Sequence, residues 1–213
     1  MDMRRIRKAA VLGSGVMGSA IACHLANVGL EVLMLDIVPF DLTEKEASNP
    51  MARNRLVNES LAKAISSRPA PLYHKDFARR IQTGNLTDDL ALINDADWII
   101  EVVVERLDIK RQLFAKVDQY RRPGTLVSSN TSGIPIHLML EGRSDDFRQH
   151  FCGTHFFNPP RYLELLEVIP TPETRPEVTG FFMDFGSRVL GKQTVQCKDT
   201  PAFIANRVGV YAM

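Results

Sequence analysis

The stretch AAVLGSGVMGSAIACHLANVGLEVLMLD, Ala9 to Asp36, decides the fold. Lys8 to Leu12 reads as a short apolar strand. Gly13, Gly15 and Gly18 stand in G-x-G-x-x-G spacing, Val16 to Asn27 repeats apolar residues at helical intervals, and a second strand, Glu31 to Asp36, closes on an acid. A glycine triplet alone says little, but a strand before it, a helix after it and an acid eighteen residues beyond Gly18 supply the context of a dinucleotide-binding turn. In such a turn Gly13 permits the tight bend, Gly15 admits pyrophosphate to the backbone and Gly18 packs the helix on the strand. Ser14, Val16 and Met17 complete the loop, and the helix N-terminus offers unpaired N–H groups to an anion. Asp36 is placed to accept hydrogen bonds from ribose hydroxyls. A carboxylate there repels a 2′-phosphate and no arginine follows it, so the expected cofactor is NAD rather than NADP.

Working outward, the alternation continues. Further strands are expected at Arg80 to Thr83, Trp98 to Val103, Thr125 to Ser129, Phe151 to His155, Leu163 to Ile169 and Thr194 to Cys197. Helical spacing marks Asp88 to Asn94, Leu107 to Tyr120, Pro135 to Leu140 and Pro176 to Leu190. The expected class is α/β, a Rossmann-like, doubly wound and mostly parallel sheet. One insertion interrupts it: IVPFDLTEKEASNP, a helical MARNRLVNESLAKAISS and RPAPLY make an excursion over about 40–75, far longer than an ordinary connection and expected to project from the sheet and meet ligand. At the other end KDTPAFIANRVGVYAM is expected to be a helix begun by Asp199-Thr200-Pro201.

Composition narrows the function. The 213 residues, 45% hydrophobic and 24% charged, suit a soluble globular protein, and a net charge of +1 gives no reason to expect nucleic acid or an anionic membrane as partner. No apolar window is long enough for a membrane span, and the basic MDMRRIRK is followed by too short an apolar run for a signal peptide. Cys23, Cys152 and Cys197 are scattered in apolar sequence, as reduced core thiols in a cytoplasm would be. No metal set is expected.

Chemistry-bearing residues sit just past the expected strand ends. Glu105 and Lys110 follow the strand that contains Glu101, within reach of a nicotinamide ribose, although a solvated helix start explains them equally well. Asn130, Thr131 and Ser132 make a polar turn that helix capping alone also explains. In GTHFFNPPRYLELLEVIP, Gly153 to Pro170, His155 ends one strand, Asn158-Pro159-Pro160 turns the chain, and Glu167 lies in the next. A carboxylate among Leu165, Leu166, Val168 and Ile169 is costly without a partner. A return strand supplies one: Glu167 beside His155 fixes the imidazole tautomer and makes a general base. His24, His74, His137 and His150 read as structural or surface residues.

The blocks GSGVMGSAIA, VVVERLDIK, SSNTSGIPI, HFFNPPRYLELLE and KDTPAFIANR, in this order and spacing, resemble the L-3-hydroxyacyl-CoA dehydrogenase family over nearly the whole chain. The resemblance implies NAD-dependent oxidation of an L-3-hydroxyacyl-CoA to the 3-ketoacyl-CoA in fatty-acid β-oxidation. It assigns His155 as the catalytic base, Glu167 as its partner, Ser132 to substrate and nicotinamide, Asn158 to the carboxamide, Asn206 to substrate orientation, and Glu105 and Lys110 to the cofactor. It lays the excursion along CoA, where Arg53, Arg55 and Lys63 are candidate phosphate contacts.

The same resemblance implies an NAD-binding domain over 1–198 and, over 199–213, the start of a C-terminal helical domain that closes over substrate and makes most of a homodimer contact. Without that domain the chain is expected to bind NAD and turn over weakly. Three departures stand out: Ala202 where glycine is common, Ser-Gly-Ile for Ser-Ser-Leu after Asn-Thr, and Asn-Pro-Pro-Arg-Tyr for Asn-Pro-Val. The last is similar to relatives acting on free hydroxyacids, such as L-gulonate 3-dehydrogenase. A free 3-hydroxyacid or sugar-acid dehydrogenase and a non-catalytic NAD-binding protein are therefore the competing readings.

Overall fold

Strands covered on both faces read as near-continuous apolar runs, as do the buried Ala9–Leu12, Val32–Leu35 and Trp98–Ile100 here. In a computed structural model, which describes residues 5–211, β1 (Lys8–Leu12), β2 (Glu31–Asp36), β3 (Ile81–Asn85), β4 (Trp98–Glu101), β5 (Leu126–Ser129), β6 (Phe151–Phe156), β7 (Leu165–Pro170) and β8 (Gln193–Gln196) form one sheet. Its order is β3-β2-β1-β4-β5-β6-β7-β8. β3 through β6 are mutually parallel. β7 turns back antiparallel to β6, and β8 runs parallel to β7. The chain order reverses between β1 and β4, and that switch point is where an open α/β sheet leaves a crevice beyond its strand C-termini.

Successive residues feed opposite cores. Ala9, Val11, Val32, Met34, Trp98 and Ile100 face the layer containing α1 (Val16–Asn27) and α6 (Pro176–Arg188), where Ile21, Leu25 and Phe182 pack. Ala10, Leu12, Leu33, Leu35 and Ile99 face Phe114 and Val117 of α4 (Leu107–Tyr120). Among the described residues no helix is long and apolar enough to cross a membrane.

Four expectations are corrected. The excursion holds α2 (Pro50–Arg53) and α3 (Arg55–Ser66), but α3 does not project: Val57 is buried in the core and Leu61, Ala64 and Ile65 pack against it beside α1. The segments expected as helices near 88–94 and 135–140 are single stretches of 3-10 helix, Leu90–Asp95 and Ile136–Leu140. A short helix, α5 (Asp145–Gln149), was missed although Ser144 caps it by accepting from the Phe147 amide at 3.2 Å.

The last correction concerns Asp199, which starts no helix of its own. Its carboxylate accepts the Ile136 and His137 amides at 2.6 and 2.8 Å, tying the segment after β8 to the turn after β5. Ala202 and Phe203 then take left-handed backbone, φ 62° and 47°, and α7 starts only at Ala205, running to Tyr211. That bend drives Phe203 into the core.

Candidate active site

The first half of the site is built by sterics. Gly13 has φ 108°, and a Cβ there would lie 2.5 Å from the Val102 carbonyl oxygen, so only glycine passes under β4. A Cβ on Gly18 would lie 1.9 Å from the Gly13 carbonyl oxygen, so α1 rests directly on the turn. Gly15 meets nothing within 4 Å, which leaves open space in front of the α1 N-terminus where a pyrophosphate would sit. Val16 and Met17 follow in the first turn, Val16 being 72% exposed. Asp36 faces this turn, its carboxylate accepting the Ser14 amide at 2.7 Å and the Ser14 hydroxyl at 2.5 Å, with the Ile37 amide at 2.7 Å on the other oxygen. Open glycine backbone, a helix N-terminus and an oriented acid fit the two ends of an ADP-ribose unit and so fit NAD.

Register carries the site across the sheet. Leu12, Glu101, Ser129 and Gly153 stand side by side on β1, β4, β5 and β6. Gly13, Val102 and Asn130, one residue further on, and His155, two residues past Gly153, therefore line one edge. From Asp36 on β2 to His155 on β6 is four strand spacings, about 19 Å at ~4.8 Å each.

The second half is electrostatic. His155 and Glu167 are direct partners in the antiparallel β6–β7 pair. The Nδ1 of His155 donates to Glu167 Oε2 at 2.8 Å, with His155 5% and Glu167 1% exposed. The other carboxylate oxygen accepts the Ile204 and Ala205 amides at 3.1 and 2.8 Å, at the start of α7. Burial acts to raise the Glu167 carboxyl, but the His155 hydrogen bond and the two amides outweigh it and hold it below the ordinary carboxylate range. An ionised carboxylate only accepts, so Nδ1 carries the proton and Nε2 the lone pair. Phe157 and Phe203 flank the ring at 4.4 and 5.9 Å between centroids.

Between the two halves lies the Thr131–Gly133 turn, clasped by Glu105. One Glu105 oxygen accepts from the Thr131 hydroxyl, from the Ser132 amide at 3.0 Å and from the Gly133 amide at 3.3 Å. Burial alone would raise this carboxyl, yet Thr131, the Lys110 ammonium and Ser132 together bring it below the ordinary range. The exposed Ser132 also meets α7, because the Asn206 amide nitrogen donates to its carbonyl oxygen at 3.1 Å. Asn130 accepts the Phe156 amide at 2.9 Å and so fixes the turn to the end of β6.

Several expected contacts need revision. Lys110 does not reach out past the strand: it is 1% exposed, its ammonium 2.6 Å from Glu101 and 3.2 Å from Glu105, and it acts on the site through Glu105. Arg53 holds Asp88 with two nitrogens at 2.6 and 2.8 Å, and Arg55 holds Asp41 at 2.5 Å, so neither is free for a phosphate. Lys63 of that set faces a cavity. It lines one of about 490 Å³, together with Gly15, Val16, Ser60, Asn158 and Pro159. The structure thus brings Asn158 and Lys63 to the mouth of the glycine turn.

Sequence reasoning named Thr131 only as part of a polar turn and missed its bond to Glu105 and the Ser14–Asp36 bond, and it noticed Glu101 without finding its cation. The signal for that pair was an acid inside an otherwise apolar strand. Other histidines are structural as expected: burial, with Lys192 and Arg161 nearby, pushes His24 down to about 4, so it stays neutral while its Nε2 donates to the Leu190 carbonyl oxygen at 3.1 Å. Burial also pushes the Cys23 thiol up to about 12, which removes it as a nucleophile near neutral pH. Among the described residues no cluster of three or more His, Cys, Asp or Glu is placed to hold a metal ion.

The family model described as 3-hydroxyacyl-CoA dehydrogenase, NAD binding domain, matches residues 8–200. A probable 3-hydroxyacyl-CoA dehydrogenase of Bacillus subtilis (strain 168) is 55% identical over 216 residues, covering 99% of this chain and 27% of that protein. One from Deinococcus radiodurans is 49% identical over 209 residues, covering 98% and 58%. Among solved structures, FadB2 of M. tuberculosis superposes with a TM-score of 0.75 at 32% identity, covering 95% of this chain and 67% of that one. The chain thus spans 27% and 58% of the lengths of the two curated relatives.

Proposed function

Because this chain belongs to the 3-hydroxyacyl-CoA dehydrogenase family through its NAD-binding domain, we propose that it takes part in oxidising an L-3-hydroxyacyl-CoA to the 3-ketoacyl-CoA in fatty-acid β-oxidation. One observation carries the reading: His155 sits at the cofactor edge of the sheet with Nδ1 held by an ionised Glu167, and its Nε2 makes no hydrogen bond to a described residue. Nε2 is then the atom that takes the 3-hydroxyl proton. NAD supplies the two-electron acceptor for the hydride that leaves C3. The resulting imidazolium is stabilised by Glu167. Ser132 and Asn206, already joined to each other, hold the substrate oxygen, and Asn158 turns the nicotinamide carboxamide.

Glu105 orients the Ser132 turn and, with Lys110 behind it, faces the nicotinamide ribose. Gly13, Ser14, Gly15, Val16, Met17, Gly18 and Asp36 bind the rest of the cofactor. Lys63 is the remaining candidate for a CoA phosphate. Residues 1–198 form the NAD-binding domain in this reading, and 199–213 lead into a helical domain that completes the cleft and makes a homodimer in a cytoplasmic protein. The exposed apolar side chains of α7, Val208, Val210 and Tyr211, support such a covering.

His155→Ala in a protein of the relatives' length tests this. NADH consumption with acetoacetyl-CoA should fall by about 10³-fold while NAD affinity is unchanged. Retention of more than a tenth of the rate, or reduction of free acetoacetate in preference to its CoA ester by the parent protein, would sink the assignment.

A further inference from the structure

The loop that carries Asn158 is bolted to the excursion at a place unconnected with the base. Arg161 NH1 donates to the Ala70 and Leu72 carbonyl oxygens, both at 2.7 Å, and the Tyr162 hydroxyl donates to Ala70 as well, at 2.9 Å. The guanidinium lies 4.6 Å from the Tyr73 ring centroid and 5.0 Å from that of Tyr162, so rings from both segments enclose it. From beneath, the buried Lys192 ammonium donates to the Pro160 carbonyl and, at 2.8 Å, to that of Leu163. The joined segments line the same cavity, Pro69 and Pro71 from the excursion and Asn158 and Pro159 from the loop. Arg161 therefore ties two stretches of the cavity wall that are ninety residues apart in the chain.

We propose that Arg161 is a positioning residue that sets the spacing of this wall and so the fit of the acyl-CoA. The proposal rests on the reading of the site as a 3-hydroxyacyl-CoA dehydrogenase site. A planar cation sharing one nitrogen between two carbonyls and stacked by two tyrosines has little freedom to shift. Without it the Ala70–Tyr73 segment and the Asn158–Leu163 loop move independently, and substrate meets a cavity of variable width. Gly15 and Val16 border the same cavity but make no contact with Arg161, and Asp36 holds Ser14 from the other side, so the ADP-ribose half of the cofactor keeps its own contacts.

The experiment compares Arg161→Met and Arg161→Lys in a protein of the relatives' length. For Arg161→Met the KM for acetoacetyl-CoA should rise about tenfold with kcat within about threefold, ADP-ribose affinity should be unchanged, and amide exchange should quicken together in 70–73 and 161–163 but not in β6 or β7. Arg161→Lys should recover part of the KM, since an ammonium keeps one carbonyl and the ring contacts. An unchanged KM, faster exchange in only one of the two segments, or ADP-ribose affinity falling in step with the KM would each overturn the proposal. If the parent protein fails to turn over acetoacetyl-CoA, it is the functional reading that has failed, and the paired exchange still decides whether Arg161 holds the wall together.

Discussion

The two ends of the site are made in opposite ways. From Lys8 to Asp36 one β-α-β unit supplies nearly all of it, and what shapes it is the lack of side-chain atoms: a Cβ on Gly13 would fall 2.5 Å from the Val102 carbonyl oxygen just past β4, and one on Gly18 1.9 Å from that of Gly13. Around His155 the parts come from β6, β7 and the segment beyond β8, and what joins them is charge: one buried carboxylate holds an imidazole and two amides. The steric end is drawn almost wholly from one short stretch of sequence. An electrostatic one exists only once distant strands are in register.

The contrast can be broken at its steric end first. Gly18→Ala should be the most damaging change, because the neighbour its methyl meets is backbone that cannot swing away. A loss of about 3 kcal/mol in a denaturant melt and no measurable NAD binding are expected. A variant that melts like the parent would mean that the turn can yield.

At the electrostatic end, Glu167→Gln keeps the shape and removes the charge. The rate should fall about 100-fold, as the imidazole loses its orienting anion. Melting temperature against pH gives a second reading. The folded carboxyl is held below its ordinary value, so its stabilisation is complete above the unfolded value, about 4.3, and is lost as pH falls through the lower folded value. The parent should therefore lose stability below about pH 4.5, and Glu167→Gln should show a shallower loss. Identical acid limbs would mean that Glu167 is not linked to folding.

A smaller effect probes the carboxylate of the steric half. Asp36→Asn should raise the NAD Kd about tenfold and narrow the preference over NADP, because an amide accepts ribose hydroxyls less well and no longer repels a phosphate. An unchanged ratio of the two affinities would remove Asp36 as the selector. The smallest effect is a gain: Ala202→Gly relieves a left-handed residue at φ 62° and should stabilise by at most about 1 kcal/mol, part of it offset by the freer unfolded chain. A lower melting temperature would show that the bend is held at no strain.

Legibility followed the same division. β1, α1 and β2 were bounded correctly from the sequence, residue for residue, because periodicity and glycine spacing are local properties. The His155–Glu167 pair was legible as a need: an acid among aliphatic residues demands a partner, and the Asn-Pro-Pro turn offered the route for it. Arg53 and Arg55 were misread because a basic residue on a helix gives no sign of an acid thirty-five or fourteen positions away. Lys110 was misread for the converse reason, since helical spacing identifies a face but not the carboxylate beneath it.

By itself, then, the amino-acid order determined a doubly wound sheet and its dinucleotide turn, since both follow from which side chains are apolar, at what period, and where a Cβ is forbidden. Tertiary structure alone decided that Asp199 serves the Ile136 turn, that Lys110 is enclosed by two carboxylates, and that Ala202 and Phe203 bend back so the amides of α7 meet Glu167. Those partnerships depend on strand register and on how distant segments dock, and no local pattern encodes the distance between two residues that meet only after the sheet has closed over them.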